Sequence, residues 1–197
     1  MRISAKPLHE YSWYLRPFFW SQRRHHGQVL VPGLLWGRVP RLFMAVAVLY
    51  GVFDRWRSGI DPVLRSLVTV RVSQLNWCRF CVDINSAVLA RRTGSVDKVQ
   101  ALERWRDSAL FDEGERAVLE YTEAMTCTDQ QVTDAMFDRL RAHFDEDAIV
   151  ELTGLIAFQN LSSKFNSALD VPPQGFCTVA GGEAAPDDDP GKGQAES

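Results

Sequence analysis

Apolar residues recur at helical intervals along most of the chain, and capping residues separate the resulting segments. The first long apolar segment, 42–56, follows a proline and predicts a buried helix. Asp61 and Pro62 then supply a cap and a first-turn proline for a helix that ends at Leu75. Residues 68–72 alternate like a strand and include β-branched side chains, so the pattern alone leaves helix and strand open there.

The second half of the chain carries five further helical signals. Asn76 is predicted to cap a helix that runs through Arg92 and is ended by Gly94. Asp112 and Glu115 stand in the spacing of a capping box. The other predicted helices cover 95–106, 112–125, 129–144 and 145–169. Apart from the open question at 68–72, the pattern therefore predicts a chain of α-helices.

Composition places these helices in one globular domain. With 197 residues, 46% of them apolar and 24% charged, the chain can bury a full core. The longest apolar run, 42–53, is shorter than the roughly 20 residues that a membrane-spanning helix needs. The N-terminal residues lack the order of a secretory signal, so we expect a soluble, cytoplasmic protein. No glycine-rich phosphate loop or nucleic-acid-binding motif occurs, which predicts no nucleic-acid partner.

Charge divides the chain into three parts. Residues 1–60 carry nine Lys or Arg against two Asp or Glu (+7), 61–170 carry twelve against eighteen (−6), and 171–197 carry one against five (−4). We predict a basic, aromatic-rich helical extension over 1–60, a helical domain over 61–173 and a disordered acidic tail over 174–197. Contact of the extension with a membrane surface is one interpretation, but we favour packing on the acidic body or on a second subunit.

Cys78 and Cys81 form a C-x-x-C at the beginning of a predicted helix. Two thiols at this spacing lie on one helical face, and the helix N-terminus favours the reactive thiolate, so the pattern predicts a redox dithiol. Four residues beyond Cys81, where a helix would present a base to the sulfur, stands Asn85, which takes no proton at neutral pH. The other cysteines, Cys127 and Cys177, form no second pair, so we predict neither a metal site nor a cofactor and interpret both as bystanders.

Longer runs surround and follow the dithiol. They are Leu75-Asn76-x-Cys78-x-x-Cys81-Val82-Asp83, Phe111-x-x-x-Glu115-Arg116-Ala117 and Arg141-x-His143-Phe144. Together they resemble the carboxymuconolactone decarboxylase and alkylhydroperoxidase D superfamily over about 61–173. The resemblance implies an all-helical domain built around a helical hairpin and usually completed by oligomerisation, so we expect a homo-oligomer. It also implies that residues 68–72 are helical.

The resemblance implies roles for individual residues. In redox-active members of the superfamily the second cysteine attacks a hydroperoxide and the first resolves the product into a disulfide, which makes Cys81 the attacking thiol and Cys78 the resolving thiol. A histidine four residues after the second cysteine and a glutamate twelve residues before the first relay the proton. These two positions hold Asn85 and Ser66 in this chain, so the usual proton relay is replaced.

Other side chains are candidates to activate the thiol. Hydroxyl groups at helical spacing could orient water or a substrate oxygen, and cations near the dithiol could lower a thiol pKa. Plain structural roles are the alternative for each of them. The candidates are the hydroxyl stripe Ser66, Thr69 and Ser73, the cations Arg71 and Arg79, and His143.

Three hypotheses follow for function. The first is an alkylhydroperoxidase-like thiol-disulfide oxidoreductase that reduces a small-molecule peroxide or disulfide through Cys78 and Cys81 and takes electrons from a thiol donor. The second is a catalytically weak family member that acts as a redox sensor or binding module. The third is a structural helical oligomer whose cysteines are ordinary core thiols.

Overall fold

The computed structural model describes residues 1–55 and 59–177, with the side chains of 54 and 55 left out. All regular structure in this part of the chain is helical. Short 3₁₀ turns at Leu8–Glu10 and Trp13–Leu15 precede the helices, and a third 3₁₀ segment covers Leu102–Asp107. The α-helices are α1 (Arg16–His26), α2 (Val31–Gly37), α3 (Pro40–Arg55), α4 (Pro62–Leu75), α5 (Arg79–Thr93), α6 (Asp97–Ala101), α7 (Glu113–Thr126), α8 (Asp134–Arg141) and α9 (Glu146–Ala168).

Helix α4 lies at the centre and packs on α5, α7 and α9. It forms as predicted because the Asp61 carboxylate accepts hydrogen bonds from the backbone N–H groups of Val63 (2.8 Å) and Leu64 (3.2 Å), with a proline in its first turn. Its β-branched residues Val68 and Val70 are fully buried. A helix buried on several sides has no polar face, which explains why its sequence also resembled a strand.

The chain around the dithiol departs from the prediction. Asn76 was expected to begin the next helix, but it ends α4, where its N–H donates to the carbonyl oxygen of Val72. Trp77 follows with φ of 55°, the left-handed region, and this residue turns the chain between the two helices. Cys78 therefore becomes the N-cap of α5, which puts the first sulfur just outside the helix.

Two other predicted helices are shorter than expected. The segment 95–106 is split into α6 and a 3₁₀ segment that has non-helical backbone angles at Arg104. The segment 129–144 is helical only in α8, because the Thr133 hydroxyl caps that helix by accepting a hydrogen bond from the backbone N–H of Met136. By contrast, the capping box of Asp112 and Glu115 at α7 is confirmed.

The N-terminal part of the chain packs on α9. A cluster of buried aromatic residues from this part, including Tyr11, Phe19 and Trp36, closes over Phe158, and Trp36 stacks on Phe165 with ring centroids 3.4 Å apart. The basic extension is thus built into the body of the protein. No helix in the described ranges is long and apolar enough to span a membrane. Most of the predicted acidic tail lies outside the described residues, but its first four residues, 174–177, contact the helical body.

Candidate redox site

The two cysteines of the C-x-x-C are joined as a disulfide at the beginning of α5, with Cα atoms 5.2 Å apart. The Cys78 sulfur accepts a hydrogen bond from the backbone N–H of Cys81 at 3.2 Å. In the reduced protein this N-cap contact and the positive end of the helix dipole stabilise a thiolate on Cys78. The local turn at Trp77 therefore places Cys78 at the N-terminus of α5, within bonding distance of Cys81.

The disulfide is covered on its outer side. Cys78 is 1% and Cys81 is 3% exposed. Apolar side chains from four parts of the chain pack with the pair: α2 with the residue before it, the first turn of α5, the end of α9, and the segment 171–177. The main contacts are Leu30, Val31, Leu35, Phe80, Phe165, Val171 and Phe176. A substrate or a reductant can reach the sulfurs only when part of this cover moves.

Asp83 holds the C-terminal part of the cover in place. Its buried carboxylate accepts hydrogen bonds from the backbone N–H groups of Gln174 (2.8 Å) and Cys177 (2.7 Å). The Gln174 side chain in turn accepts from the N–H of Val31 at 2.8 Å and donates to the carbonyl oxygen of Val29 at 3.2 Å. Gln174 therefore connects the segment 171–177 to α5 through its backbone N–H and to the N-terminal part of the chain through its side chain.

Ser66 and Asn85, which stand at the two relay positions, form hydrogen bonds with groups other than the sulfurs. The Ser66 hydroxyl donates to the carbonyl oxygen of Pro62 at 3.2 Å and accepts from Arg92 at 2.7 Å. The Asn85 amide donates to the Ser73 hydroxyl at 3.2 Å. The structure thus brings Asn85 together with one member of the predicted hydroxyl stripe, while Ser66 serves to join α4 to α5.

The remaining members of the hydroxyl stripe bond within their own helix. Thr69 donates to the carbonyl oxygen of Ser66 at 3.0 Å, and Ser73 donates to that of Thr69. Ser73 also accepts a hydrogen bond from Gln159 of α9 at 3.0 Å. The stripe is a helix contact rather than a set of hydroxyl groups pointing at an open site.

Asn166 contacts Cys81, and no sequence motif had singled it out. Its side-chain amide nitrogen lies 3.3 Å from the Cys81 sulfur, and the residue is 1% exposed. The signal that could have found it is a polar stripe at helical spacing, Gln159, Ser163 and Asn166, on a helix otherwise rich in apolar residues. All three of these polar residues are buried.

The two arginines proposed as thiol activators are paired elsewhere. Arg71 forms an ion pair with buried Glu123, with an N–O distance of 2.6 Å. Arg79 pairs with Asp170 at 2.9 Å on the surface, where hydrogen bonds from the N-terminal amino group and from Arg79 hold the pKa of Asp170 below its ordinary value. Neither cation is therefore available to the thiols in this arrangement.

The remaining candidates lie apart from the dithiol. His143 packs beside Gly114 at the beginning of α7. Cys127 is a free thiol whose pKa is raised by burial and by the nearby negative charges of Asp129 and Glu123. Cys177 is also free and half-buried. Within the described ranges no group of three or more His, Cys, Asp or Glu residues is arranged to hold a metal ion.

The fold and site define an all-helical protein with a buried dithiol at a helix N-terminus. The model of the carboxymuconolactone decarboxylase family matches residues 41–124. The uncharacterized protein YnjA of Escherichia coli K12 is 51% identical over 177 residues, which cover 90% of this chain and 97% of YnjA. The chain therefore belongs to the carboxymuconolactone decarboxylase family.

Solved structures share the fold at low sequence identity. The alkylhydroperoxidase AhpD core of a peroxidase-related protein from Ralstonia eutropha JMP134 superimposes with a TM-score of 0.79 at 20% identity, covering 89% of this chain and 93% of that one. The debrominase Bmp8, as a cysteine-to-alanine variant in complex with 2,3,4-tribromopyrrole, gives a TM-score of 0.79 at 21% identity, covering 91% and 95%. These likenesses confirm the predicted all-helical AhpD-like fold.

Proposed function

We propose that this protein is a thiol-disulfide oxidoreductase that reduces an organic hydroperoxide, or else a small disulfide, through Cys81 and Cys78. The observation that carries the proposal is the dithiol itself, closed as a disulfide at a helix N-terminus and contacted at Cys81 by a buried amide. The helix N-terminus and the buried amide both favour the thiolate, which is the nucleophilic form of cysteine.

The reaction runs in three balanced steps. The Cys81 thiolate attacks the terminal oxygen of the hydroperoxide and the O–O bond breaks; the OH group remains on Cys81 as a sulfenic acid, and the departing alkoxide takes a proton from water and leaves as the alcohol. The Cys78 thiol then attacks the Cys81 sulfur, which forms the disulfide and releases water. An external thiol donor returns two electrons and two protons and restores the dithiol.

The surroundings of the dithiol favour an organic substrate over a strongly hydrated one. The cover consists of aliphatic and aromatic side chains such as Leu35, Phe80 and Phe165, which would contact the carbon skeleton of a hydroperoxide. Opening of the segment 171–177 is the natural route of entry, since that segment is held mainly by hydrogen bonds to Asp83 and by Gln174.

A halogenated aromatic ring is a second candidate substrate. The structural neighbour Bmp8 is a debrominase seen with a brominated pyrrole. A dithiol balances reductive removal of a halogen, because two thiols give up two electrons and two protons, and the products are the hydrogen-substituted ring, hydrogen halide and a disulfide. Incubation of the reduced protein with 2,3,4-tribromopyrrole, followed by measurement of bromide release, tests this candidate.

A redox-sensing or structural oligomer is the alternative function, and one surface favours it. The outer face of α3 exposes Leu42, Leu49 and Val52 at helical spacing, with Val48 beside them. We propose that this face joins copies of the chain in a homo-oligomer. If the protein is chiefly a sensor, its sedimentation coefficient should change between the oxidised and reduced forms. If oxidation leaves the assembly unchanged, the sensor function is contradicted.

Steady-state kinetics test the proposed oxidoreductase. With dithiothreitol as donor, the protein should consume cumene hydroperoxide, and the variant Cys81→Ser should lose this activity at least a hundredfold because the nucleophile is gone. Cys78→Ser should react once and then stall as a sulfenic acid. Cys127→Ser is the matched control and should retain the full rate. Consumption at the same rate by the protein and by Cys81→Ser would contradict the proposal.

A further inference from the structure

We propose that Asn166 is a catalytic residue of the dithiol. Its side-chain N–H donates a hydrogen bond to the Cys81 thiolate, and its side-chain oxygen accepts a hydrogen bond from the O–O–H group of the substrate. The hydrogen bond to the thiolate involves only Asn166 and Cys81 of this chain. The hydrogen bond to the substrate rests on the oxidoreductase function proposed above. It narrows the substrate class from peroxides and disulfides in general to hydroperoxides.

The first observation is the contact between the amide and the sulfur. The Asn166 amide nitrogen lies 3.3 Å from the Cys81 sulfur, within hydrogen-bond distance for sulfur, and both groups are buried. The backbone at this residue is held as well, because the backbone carbonyl oxygen of Asn166 accepts a hydrogen bond from the N–H of Val171 at 3.0 Å as α9 ends. A hydrogen bond from a buried amide stabilises a thiolate more than a neutral thiol.

The second observation is an unused acceptor beside that sulfur. The side-chain oxygen of Asn166 is buried and has no hydrogen-bond partner among the described residues. Leaving a buried amide oxygen without a donor is costly, and such groups are rare in proteins. Because the nitrogen and oxygen of one amide share a carbon, a donor that binds this oxygen is brought close to the Cys81 sulfur. A hydroperoxide carries the required O–H, whereas a disulfide has none.

The occupied relay positions strengthen the inference. Asn85 donates its amide to Ser73 and Ser66 accepts from Arg92, and among the described residues neither side chain forms a hydrogen bond with Cys81. The amide of Asn166 does make that contact, from a different helix. In this chain the thiolate is therefore stabilised by a hydrogen bond rather than formed by transfer of its proton to a base.

The test titrates Cys81 alone. In a Cys78→Ser background, which keeps an N-cap hydroxyl and leaves one thiol in the pair, the pH dependence of iodoacetamide alkylation at Cys81 is followed by peptide mass spectrometry. Asn166→Ala should raise the pKa of Cys81 by about one to two pH units, since a hydrogen bond to a charged group stabilises it roughly ten- to hundredfold. Asn166→Asp keeps the shape and should raise the pKa further, because its carboxylate repels the thiolate.

Asn160→Ala is the matched control. This residue lies on the same helix, donates its amide to Thr126 at 3.0 Å and accepts from Asn76 at 2.8 Å, and among the described residues it forms no hydrogen bond with either sulfur. Its substitution should leave the pKa of Cys81 unchanged. If Asn166→Ala fails to fold, as judged by circular dichroism, the isosteric Asn166→Asp carries the test. A Cys81 pKa that stays within about 0.3 of the parent value in the folded Asn166 variants would overturn the thiolate role.

A comparison of substrates tests the carbonyl oxygen and separates this inference from the proposed function. The rate with cumene hydroperoxide should fall about tenfold more in Asn166→Ala than the rate with a small dialkyl disulfide, measured at a pH where Cys81 is fully ionised. Equal losses would overturn the substrate role. The parent protein could fail to react with hydroperoxide while the Asn166 variants still raise the pKa of Cys81. That result would contradict the proposed function and the substrate role of Asn166, but it would support the hydrogen bond from Asn166 to the thiolate.

Discussion

Two buried polar clusters in this protein differ in how fully their groups are paired. Around Glu123, both carboxylate oxygens are engaged: Arg71 and Trp105 donate to one at 2.8 Å, and Arg106 lies 2.7 Å from the other. Around Cys81, the oxygen of Asn166 has no partner among the described residues. A fully paired cluster has no free group to offer a ligand, whereas the second cluster keeps an acceptor beside a reactive sulfur.

The difference separates a structural role from a chemical one. Burial by itself raises the pKa of Glu123, but the hydrogen bonds from Arg106, Trp105 and Arg71 outweigh burial and hold that pKa below the ordinary value. The carboxylate is thus kept charged and used to join α4, α7 and the 3₁₀ segment between them. The dithiol gains nothing comparable for stability from Asn166, so we expect substitutions in the two clusters to affect different measurements.

The largest effect on stability should come from breaking the Glu123 ion pair. Glu123→Gln leaves Arg71 buried without its counter-charge and should lower the free energy of unfolding by about 3–5 kcal/mol. Chemical denaturation measures this loss. The alkylation rate of Cys81 in the folded protein should stay within about twofold of the parent, because the two clusters share no hydrogen bond. A large change in that rate would remove the distinction between the clusters.

The same carboxylate predicts how stability depends on pH. Its pKa is near 4.5 in the unfolded chain and lower in the folded protein, so its stabilisation is complete above pH 4.5 and is lost as the pH falls through the folded pKa. The parent protein should therefore lose unfolding free energy more steeply than Glu123→Gln across this acidic window. Parallel curves for the two proteins would show that Glu123 does not titrate with folding.

Loosening the cover should lower the free energy of unfolding less than the Glu123 substitution does. It should also make the two sulfurs measurably more accessible to an alkylating reagent. Asp83→Ala removes the acceptor of two backbone N–H groups, those of Gln174 and Cys177, and should cost about 1–3 kcal/mol. Because the segment 171–177 then opens more easily, alkylation of the reduced dithiol should become about tenfold faster. Asp147→Ala, at an exposed carboxylate in the first turn of α9, is the control for loss of a carboxylate. An unchanged alkylation rate in Asp83→Ala would show that entry follows another route.

The smallest effects should come from the two relay positions. Asn85→Ala and Ser66→Ala remove contacts with Ser73 and Arg92 but none with a sulfur. We expect each to change the rate of Cys81 with hydroperoxide by no more than about twofold and to cost about 1 kcal/mol or less. A tenfold loss of rate in Asn85→Ala would show that this amide supports the reaction of Cys81 after all.

Sequence reasoning succeeded where the cause of the structure is local. The cap at Asp61 and the capping box at Asp112 depend on residues two or three positions apart, and both are present in the structure. The prediction for Asn76 failed because the turn depends on the positive φ of Trp77, a conformation that a large aromatic residue rarely adopts. No capping rule anticipates such a turn.

The candidate site was predicted only in part, for a similar reason. The pair Cys78 and Cys81 is visible as a motif, but the contacts that complete the site join residues far apart in the chain. Asn166 lies 85 residues from Cys81, and Gln174 lies 91 residues from Asp83. Such pairings are set by the packing of α9 and of the segment 171–177, which helical periodicity does not specify.

The most direct test of the account is a competition among the four cysteines of one reduced sample. The protein is exposed to less than one equivalent of cumene hydroperoxide, quenched with acid, and its oxidised cysteines are quantified by peptide mass spectrometry. The account predicts that oxidation collects in a Cys78–Cys81 disulfide, although these are buried thiols, while Cys127 and Cys177 stay reduced. Oxidation of Cys127 or Cys177 ahead of the pair would contradict it.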